Sequence, residues 1–382
     1  MTEHLHKYAD LYRQPGPWCL AYVDAGAGTV EGAEAAEVRP GNVRAALAQQ
    51  GATPADQEAM EVAVAPAYGV PAPVSRFVLV REGTVALNEL LPGPLAAPKQ
   101  TSVGPIPDLL PLLKHRPEEF PYIVAEVSRE DAEIRLEYVG HPGPASIQGV
   151  EGSAEDIRKL PVGGGWAQDK LQRRTEESWR RNADEVAGQI DRIVDSSGAR
   201  LIVLAGDVRA RTMVRDEIAE GHRSLVSMLD AKTRTGGPHQ DQFQDRVQEL
   251  IALRWAAEQE QIMDRLALQQ AQANPESAAG IGAVVHALQQ AQVDVLILND
   301  NELADHPLLA LGAEPWVASA EEQALGAEVL GKVPAPAALL RAAALTDASL
   351  LLVPDGVLPA GTGVAALLRW PTGPTAPGGV VA

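Results

Sequence analysis

The spacing of apolar residues changes several times along the chain. "PWCLAYVDAG" is a continuous apolar run that breaks at glycine, the pattern of a buried strand. "GNVRAALAQQG" predicts a short helix closed by Gly51. "SRFVLVREGTVALNEL" sets two β-like runs on either side of Glu82–Gly83, which predicts a hairpin. "LPGPLAAPKQTSVGPIPDLLPLLKHRP" carries too many prolines to be regular throughout. It reads as a packed connector that closes a first domain over 1–115.

A second unit spans 116–273. In "PYIVAEVSREDAEIRLEYVG", Tyr122, Val124 and Glu126 alternate with Ile123, Ala125 and Val127, and Ile134, Leu136 and Tyr138 share one face. This is a strong hairpin pattern. "QDKLQRRTEESWRRNADEVAGQIDRIVDSSG" predicts a long helix starting at a Gln and closed near Gly198. At about 100° per residue, Leu171, Thr175, Trp179, Ala183, Val186, Ile190 and Ile193 fall on one side. Lys170, Arg173, Arg174, Arg180 and Arg181 fall on the other. "ARLIVLAGD" predicts a buried strand, "VRARTMVRDEIAEG" a helix, "HRSLVSMLDA" a strand, and residues 241–272 a second long helix. In the third unit, 274–382, "SAAGIGAVVHALQQAQ" and "AALLRAAALTDA" read as helices. "VDVLILND" and "SLLLVPDG" read as buried strands, and "GVAALLRW" as a short helix or strand. The expected class is α/β in three domains, the last of them α/β/α.

Charge adds a second layer. The 382 residues carry a net charge of −19. Residues 158–254 hold 17 Lys+Arg against 15 Asp+Glu, while the remainder holds 15 against 36. A basic-leaning middle between acidic flanks fits a polyanion-facing region, and equally a long helix rich in both signs. The overall acidity argues against nonspecific nucleic-acid binding, and no DNA partner is expected. No apolar run reaches the ~18 residues of a membrane span, and "MTEHLHKYADLYRQ" lacks the apolar core of a signal peptide. A cytoplasmic protein is expected.

Catalytic patterns are absent from the sequence. There is one cysteine, Cys19, read as a core residue, and the eight histidines are scattered. His4 and His6 fall in an end expected to fray, and His286 on an expected core face. His222 and His239 are the candidates for a base. No paired-His metal spacing and no GxSxG occur, so no metal or cofactor is expected. The glycine run of "LPVGGGWAQDKLQRR" lacks the Lys-Ser/Thr of a phosphate loop. Its consecutive N–H groups could form an anion nest, or the run could be a plain loop between hairpin and helix.

The order of these parts resembles a family. A hairpin leads into a Gly-Gly loop, then a long basic helix beginning at a Gln, then "LIVLAGD". The chain closes with "AALLRAAALTDASLLLVPDGVLPAGTGVAALLRW". This resembles the bacterial relatives of the archaeo-eukaryotic class I release factors and of Pelota, in their actinobacterial branch. The resemblance covers roughly 115–370. Upstream it rests on "SRFVLVREGTVALNELLPGP" and "IPDLLPLL".

The resemblance implies a central RNase H-like release-factor core without nuclease function and a kink-turn-binding-protein-like last domain. It implies a tRNA mimic in the ribosomal A site, with a translation GTPase as a further partner. Gly163, Gly164, Gly165, Trp166 and Gln168 would form a tip near the peptidyl-transferase centre. Lys170, Arg173, Arg174, Arg180 and Arg181 would meet rRNA phosphates. Release factors set Gln directly after Gly-Gly. Here Trp166–Ala167 intervene and Gln168 comes third. The family also includes ribosome-hibernation factors, which occupy the A site without release activity. The expected function is therefore a hibernation or stress factor without catalysis. The alternative is a peptidyl-tRNA hydrolysing release or rescue factor that uses Gln168.

Overall fold

The computed structural model describes residues 3–27, 30–70, 73–116, 120–128, 131–139, 143–151, 165–230, 238–359 and 361–371. It is a mixed α/β structure with four sheets among the described residues. The chain divides into two compact units, one of residues 1–116 with 258–382 and one of residues 117–257.

The central unit is built on a five-stranded sheet. Pro121–Val127 lies in the middle, paired antiparallel with Asp131–Tyr138, which pairs antiparallel with Ser146–Glu151. On its other side Pro121–Val127 runs parallel to Leu201–Gly206, which runs parallel to Val226–Met228. Counted in chain order, the strands lie 3-2-1-4-5. The hairpin and the buried strand Leu201–Gly206 stand where the apolar pattern set them, while the strand expected in "HRSLVSMLDA" is confined to Val226–Met228, after the turn Glu220–Leu225. The strand Ser146–Glu151 did not register in that pattern: Gly149 interrupts it, and Ile147 is exposed.

Period-two alternation then sorts the side chains. Ile123, Ala125, Val127 and Ile134 face one way, with Ile202 and Leu204, into a core closed by two helices. Ala183, Val186, Ala187, Ile190 and Ile193 of the helix Gly165–Ser197 fill that core, with Ala210 and Val214 of the helix Val208–Glu217. The expected apolar stripe is thus the buried one from Ala183 onward. The helix closes as expected: Gly198 takes φ +66 and donates its N–H to the Val194 carbonyl at 2.8 Å.

The opposite face of the hairpin is polar. Arg135 donates to Glu126 (3.0 Å), Glu133 (2.8 Å) and Glu137 (3.1 Å), and the Tyr122 hydroxyl donates to Glu137 at 2.7 Å. Burial opposes the charge on Arg135, but the three carboxylate bonds outweigh it and hold the guanidinium protonated. Burial first, and then the bond to Glu137, push the Tyr122 hydroxyl upward.

The sequence reading set 1–115 and 274–382 apart as two domains. In the structure they share one hydrophobic core. Leu20, Tyr22, Phe77 and Leu79 of an antiparallel sheet meet Leu296, Leu298, Leu339 and Leu340 in a single cluster. That sheet orders Thr84–Pro92, Val74–Arg81, Trp18–Asp24 and Gln100–Gly104. Its hairpin turns at Glu82 and Gly83, both at positive φ, as the dipeptide predicted. Gln100–Gly104 and the short helix Leu110–His115 lie within the proline-rich connector, which is more regular than expected. The helix before Gly51 runs from Val30 and is longer than predicted.

The first described residues are paired in a sheet, where a frayed end was expected. Glu3–His4 pairs antiparallel with Ser349–Leu350, at one edge of the five-stranded sheet that holds Val293–Leu298, Ser349–Leu352, Val364–Leu368 and Ser277–Ala279. The buried Leu5 follows it into the core. "GVAALLRW" resolves to the strand Val364–Leu368. A three-stranded sheet of Pro307–Leu311, Val317–Ala318 and Val329–Pro334 was not anticipated.

Candidate nucleic-acid interface

The site suggested by the sequence centres on the start of the long helix. The helix begins at Gly165, three residues before the expected Gln. Trp166 and Gln168 therefore sit on its opening turn, and Lys170, Arg173 and Arg174 follow along it. Gly163 and Gly164 lie outside the described residues, as do the side chains of Gly165, Trp166, Gln168, Lys170, Arg173 and Arg174. Arg180 and Arg181 are exposed, as expected for the outer face, and Arg180 donates to Glu217 at 3.0 Å. An exposed pair of this kind contributes little to stability.

The inner side of the same helix builds a second feature. At its carboxyl end Leu201–Gly206 must turn sharply beside Pro121–Val127. Gly206 makes the turn at φ +103, where an added Cβ would run into the Val127 carbonyl oxygen. Asp207 then donates its N–H to that oxygen at 2.9 Å. Its carboxylate accepts from the N–H groups of Arg209 (3.0 Å) and Ala210 (3.1 Å), capping the helix Val208–Glu217.

This turn directs Arg209 toward the long helix, where its guanidinium carbon stands 5.3 Å from the centre of the Trp179 ring. A cleft opens at this edge of the sheet, outside the carboxyl ends of the two parallel strands. Val127, Val150, Ala183 and Met213 form apolar walls; Trp179, Asn182, Asp131 and Arg209 add polar or aromatic groups. Sequence reasoning placed Trp179 on the apolar stripe but missed the cleft.

The His222 Nδ1 lies 2.7 Å from Asp191 and its Nε2 3.4 Å from Asp195, which clasps the turn Glu220–Leu225 to the long helix. The side chain of His239 lies outside the described residues. His286 is exposed and bonded to Gln290, on the outer rather than the core face of its helix. Cys19 is buried in its strand, as expected, and burial pushes its thiol up to about 11. Among the described residues no cluster of His, Cys, Asp or Glu could hold a metal, and no helix is long and apolar enough to cross a membrane.

Residues 121–272, the segment that holds both features, match the model of bacterial archaeo-eukaryotic release factor family 2. Over that segment the chain is similar to this family. Similarity to one relative extends beyond the release-factor segment. The uncharacterized protein Rv2629 of Mycobacterium tuberculosis H37Rv is 27% identical over 363 residues, 94% of this chain and 95% of its own length. Among solved structures, ribosome-bound archaeal Pelota in a model with ABCE1 is 12% identical, with 97% of this chain and 96% of that chain covered and a TM-score of 0.42. Dom34 of S. cerevisiae, described as a translation termination-like factor interacting with Hbs1, is 12% identical over 78% of this chain and 80% of its own, with a TM-score of 0.40.

Proposed function

We propose that this release-factor-like chain is a ribosome-binding tRNA mimic. It occupies the A site and acts in hibernation or stress without catalysis. The observation that carries this reading is the family of residues 121–272 combined with the position of Gln168. Two residues separate it from the glycines, and both lie on a helix. At about 1.5 Å of rise per residue, Gln168 stands about 4.5 Å along the axis from Gly165. An error of about 1 Å already costs heavily at a reacting centre. Trp166, in between, offers an indole for stacking on a base rather than a group that positions water.

The strand order 3-2-1-4-5, with three antiparallel strands followed by two parallel ones, supports an RNase H-like reading of the central unit. Gly163, Gly164, Gly165, Trp166 and Gln168 would form the tip near the peptidyl-transferase centre. Lys170, Arg173, Arg174, Arg180 and Arg181 would contact rRNA phosphates. The acidic remainder of the chain would suppress binding to other RNA. The C-terminal sheet and its helices would serve as the kink-turn-binding-protein-like part that meets ribosomal or GTPase partners, and the setting would be the cytoplasm.

Peptide release separates this reading from its rival. Ribosomes carrying labelled peptidyl-tRNA and saturated with the protein should retain their peptide, with no difference between wild type and Gln168→Ala. Release by the wild type that disappears in Gln168→Ala would establish the hydrolytic reading instead.

A further inference from the structure

The antiparallel sheet that holds Trp18–Asp24 treats its two edge strands differently. At one edge, Gln100–Gly104 is closed by a side chain. The Gln50 amide donates to the Thr101 carbonyl at 2.9 Å and accepts from the Val103 N–H at 3.1 Å. One amide thus takes up an acceptor and a donor that face outward. The other edge, Thr84–Pro92, has no such cover among the described residues. Ala25 donates its N–H to the Val74 carbonyl at 2.8 Å, so Val74, Arg76 and Val78 turn their backbone groups toward Trp18–Asp24. The residues opposite them on the edge strand are Pro92, Leu90 and Asn88, whose backbone groups therefore point away from the sheet. The Pro92 carbonyl is taken by the His115 ring at 2.9 Å. Asn88 and Leu90 are left with their N–H and C=O groups facing outward, in a row.

Little else guards this edge. Native edge strands are blunted by lysine, proline or a bulge. Here a bulge opposite Leu79–Val80 and Pro92 mark the two ends, and between them the single charge is Glu89. Leu90 is exposed. The helix Pro54–Ala63 ends alongside, where the Ala63 carbonyl accepts from Asn88 Nδ2 at 3.4 Å and Val62 is exposed.

We propose that this edge takes a β-strand from a partner protein: an extended segment whose apolar residues alternate around a Lys or Arg set opposite Glu89. The incoming backbone would pair with Asn88 and Leu90, and its apolar side chains would cover Leu90 and Val62. A peptide backbone presents donors and acceptors at that repeat, whereas a nucleic acid does not. The charge of the partner follows from Glu89. Its Oε2 lies 3.2 Å from Arg116, and a carboxylate has further lone pairs to offer a second cation. A second copy of the chain fits badly. The two-fold register that joins Asn88 of one copy to Leu90 of the other sets Glu89 opposite Glu89, and each chain carries a net charge of −19. The same net charge draws a basic partner.

The test uses the full chain and a pair of fluorescein-labelled peptides, read by anisotropy. Both alternate Thr and Val; one has Lys at its centre and the other Glu. An opposite-charge pair across strands contributes about 0.2–1 kcal/mol and a like pair costs a similar amount, so the Lys peptide should bind about 2- to 30-fold more tightly. Glu89→Gln should remove that preference and leave the hydrogen-bonding edge in place. Leu90→Pro deletes an N–H that the sheet's own ladder does not use, so the fold keeps its hydrogen bonds. Loss of that one bond to the peptide should weaken binding about 2- to 13-fold. Bound Lys peptide should also slow amide exchange at Asn88 and Leu90.

A Lys peptide that fails to bind up to about 1 mM would overturn the proposal. So would binding that leaves exchange at Asn88 and Leu90 unchanged, or that ignores both Leu90→Pro and Glu89→Gln. Sedimentation equilibrium of the chain alone decides the occupant. A monomer supports a partner protein. A dimer that Leu90→Pro abolishes would make a second copy the occupant and overturn the partner assignment.

Discussion

Two helices of 33 residues flank the centre of this chain, and they are used differently. Among its described residues, Gly165–Ser197 keeps the buried ones on one stripe, from Ala183 to Val194, in one core against the sheet of the central unit. Pro238–Gln270 buries Phe243, Val247 and Ile251 early, then turns another side: Ile262, Met263 and Leu266 pack with Val295, Ile297 and Leu351 of the terminal unit. Leu253 and Leu268 are left exposed. Pro238–Gln270 thus packs in two places along its length, with exposed residues between. On the described part of Gly165–Ser197 the outer face carries the exposed Arg180 and Arg181. Length does not distinguish the two helices; Gly165–Ser197 carries 6 Lys+Arg against 3 on Pro238–Gln270, and the distribution of burial separates them further.

The largest effects should fall where the helices are alike. Ile190→Ala and Ile251→Ala each empty a fully buried site and should cost about 3 kcal/mol, seen as a comparable drop in denaturation midpoint. A cost confined to Ile190→Ala would show that the second helix does not support the fold and would break the comparison. Next comes the turn that sets the first helix against the sheet. Gly206→Ala forces a Cβ against the Val127 carbonyl in a backbone conformation that disfavours it, and should cost about 2–3 kcal/mol by the same measurement. An unchanged midpoint would show that the close approach is not needed.

The smallest stability effect should accompany the sharpest functional contrast. Arg180→Glu with Arg181→Glu should shift stability by no more than about 0.5 kcal/mol, because both side chains are exposed. The same change should weaken ribosome binding and cut its salt slope by about 1.4, at about 0.7 per lost phosphate contact. Arg246→Glu on the second helix, also exposed, should leave ribosome binding as it was. Equal loss from both helices would mean that net charge, not a particular face, governs association.

Much of this architecture was legible because local pattern carries it. Alternation marked the hairpin Pro121–Tyr138, and helical spacing marked Ala183, Val186, Ile190 and Ile193 as core. Pairings between distant segments left no local trace. Glu3–His4 joins a sheet whose other strands begin nearly 280 residues later, and the terminal segments share a core for the same reason. Arg341 is an example: it reads as a charge within a helix, yet it is buried and donates to the carbonyls of Tyr12 and Leu311. The glycine run was legible as a motif because it is contiguous. The cleft was not, because Asp131, Trp179 and Arg209 come from three separate elements. Only Trp179 carried a local sign, as a bulky aromatic at the point where the apolar stripe meets the basic half of the helix.

The central claim is association with the ribosome through the outer face of the first long helix. The most direct measurement is co-sedimentation of the purified full chain with purified ribosomes through a sucrose cushion, across a series of salt concentrations. The account predicts saturable binding at low salt that falls steadily as salt rises, with the loss steeper for wild type than for the double variant Arg180→Glu, Arg181→Glu. A chain that stays wholly in the supernatant at the lowest salt would contradict it.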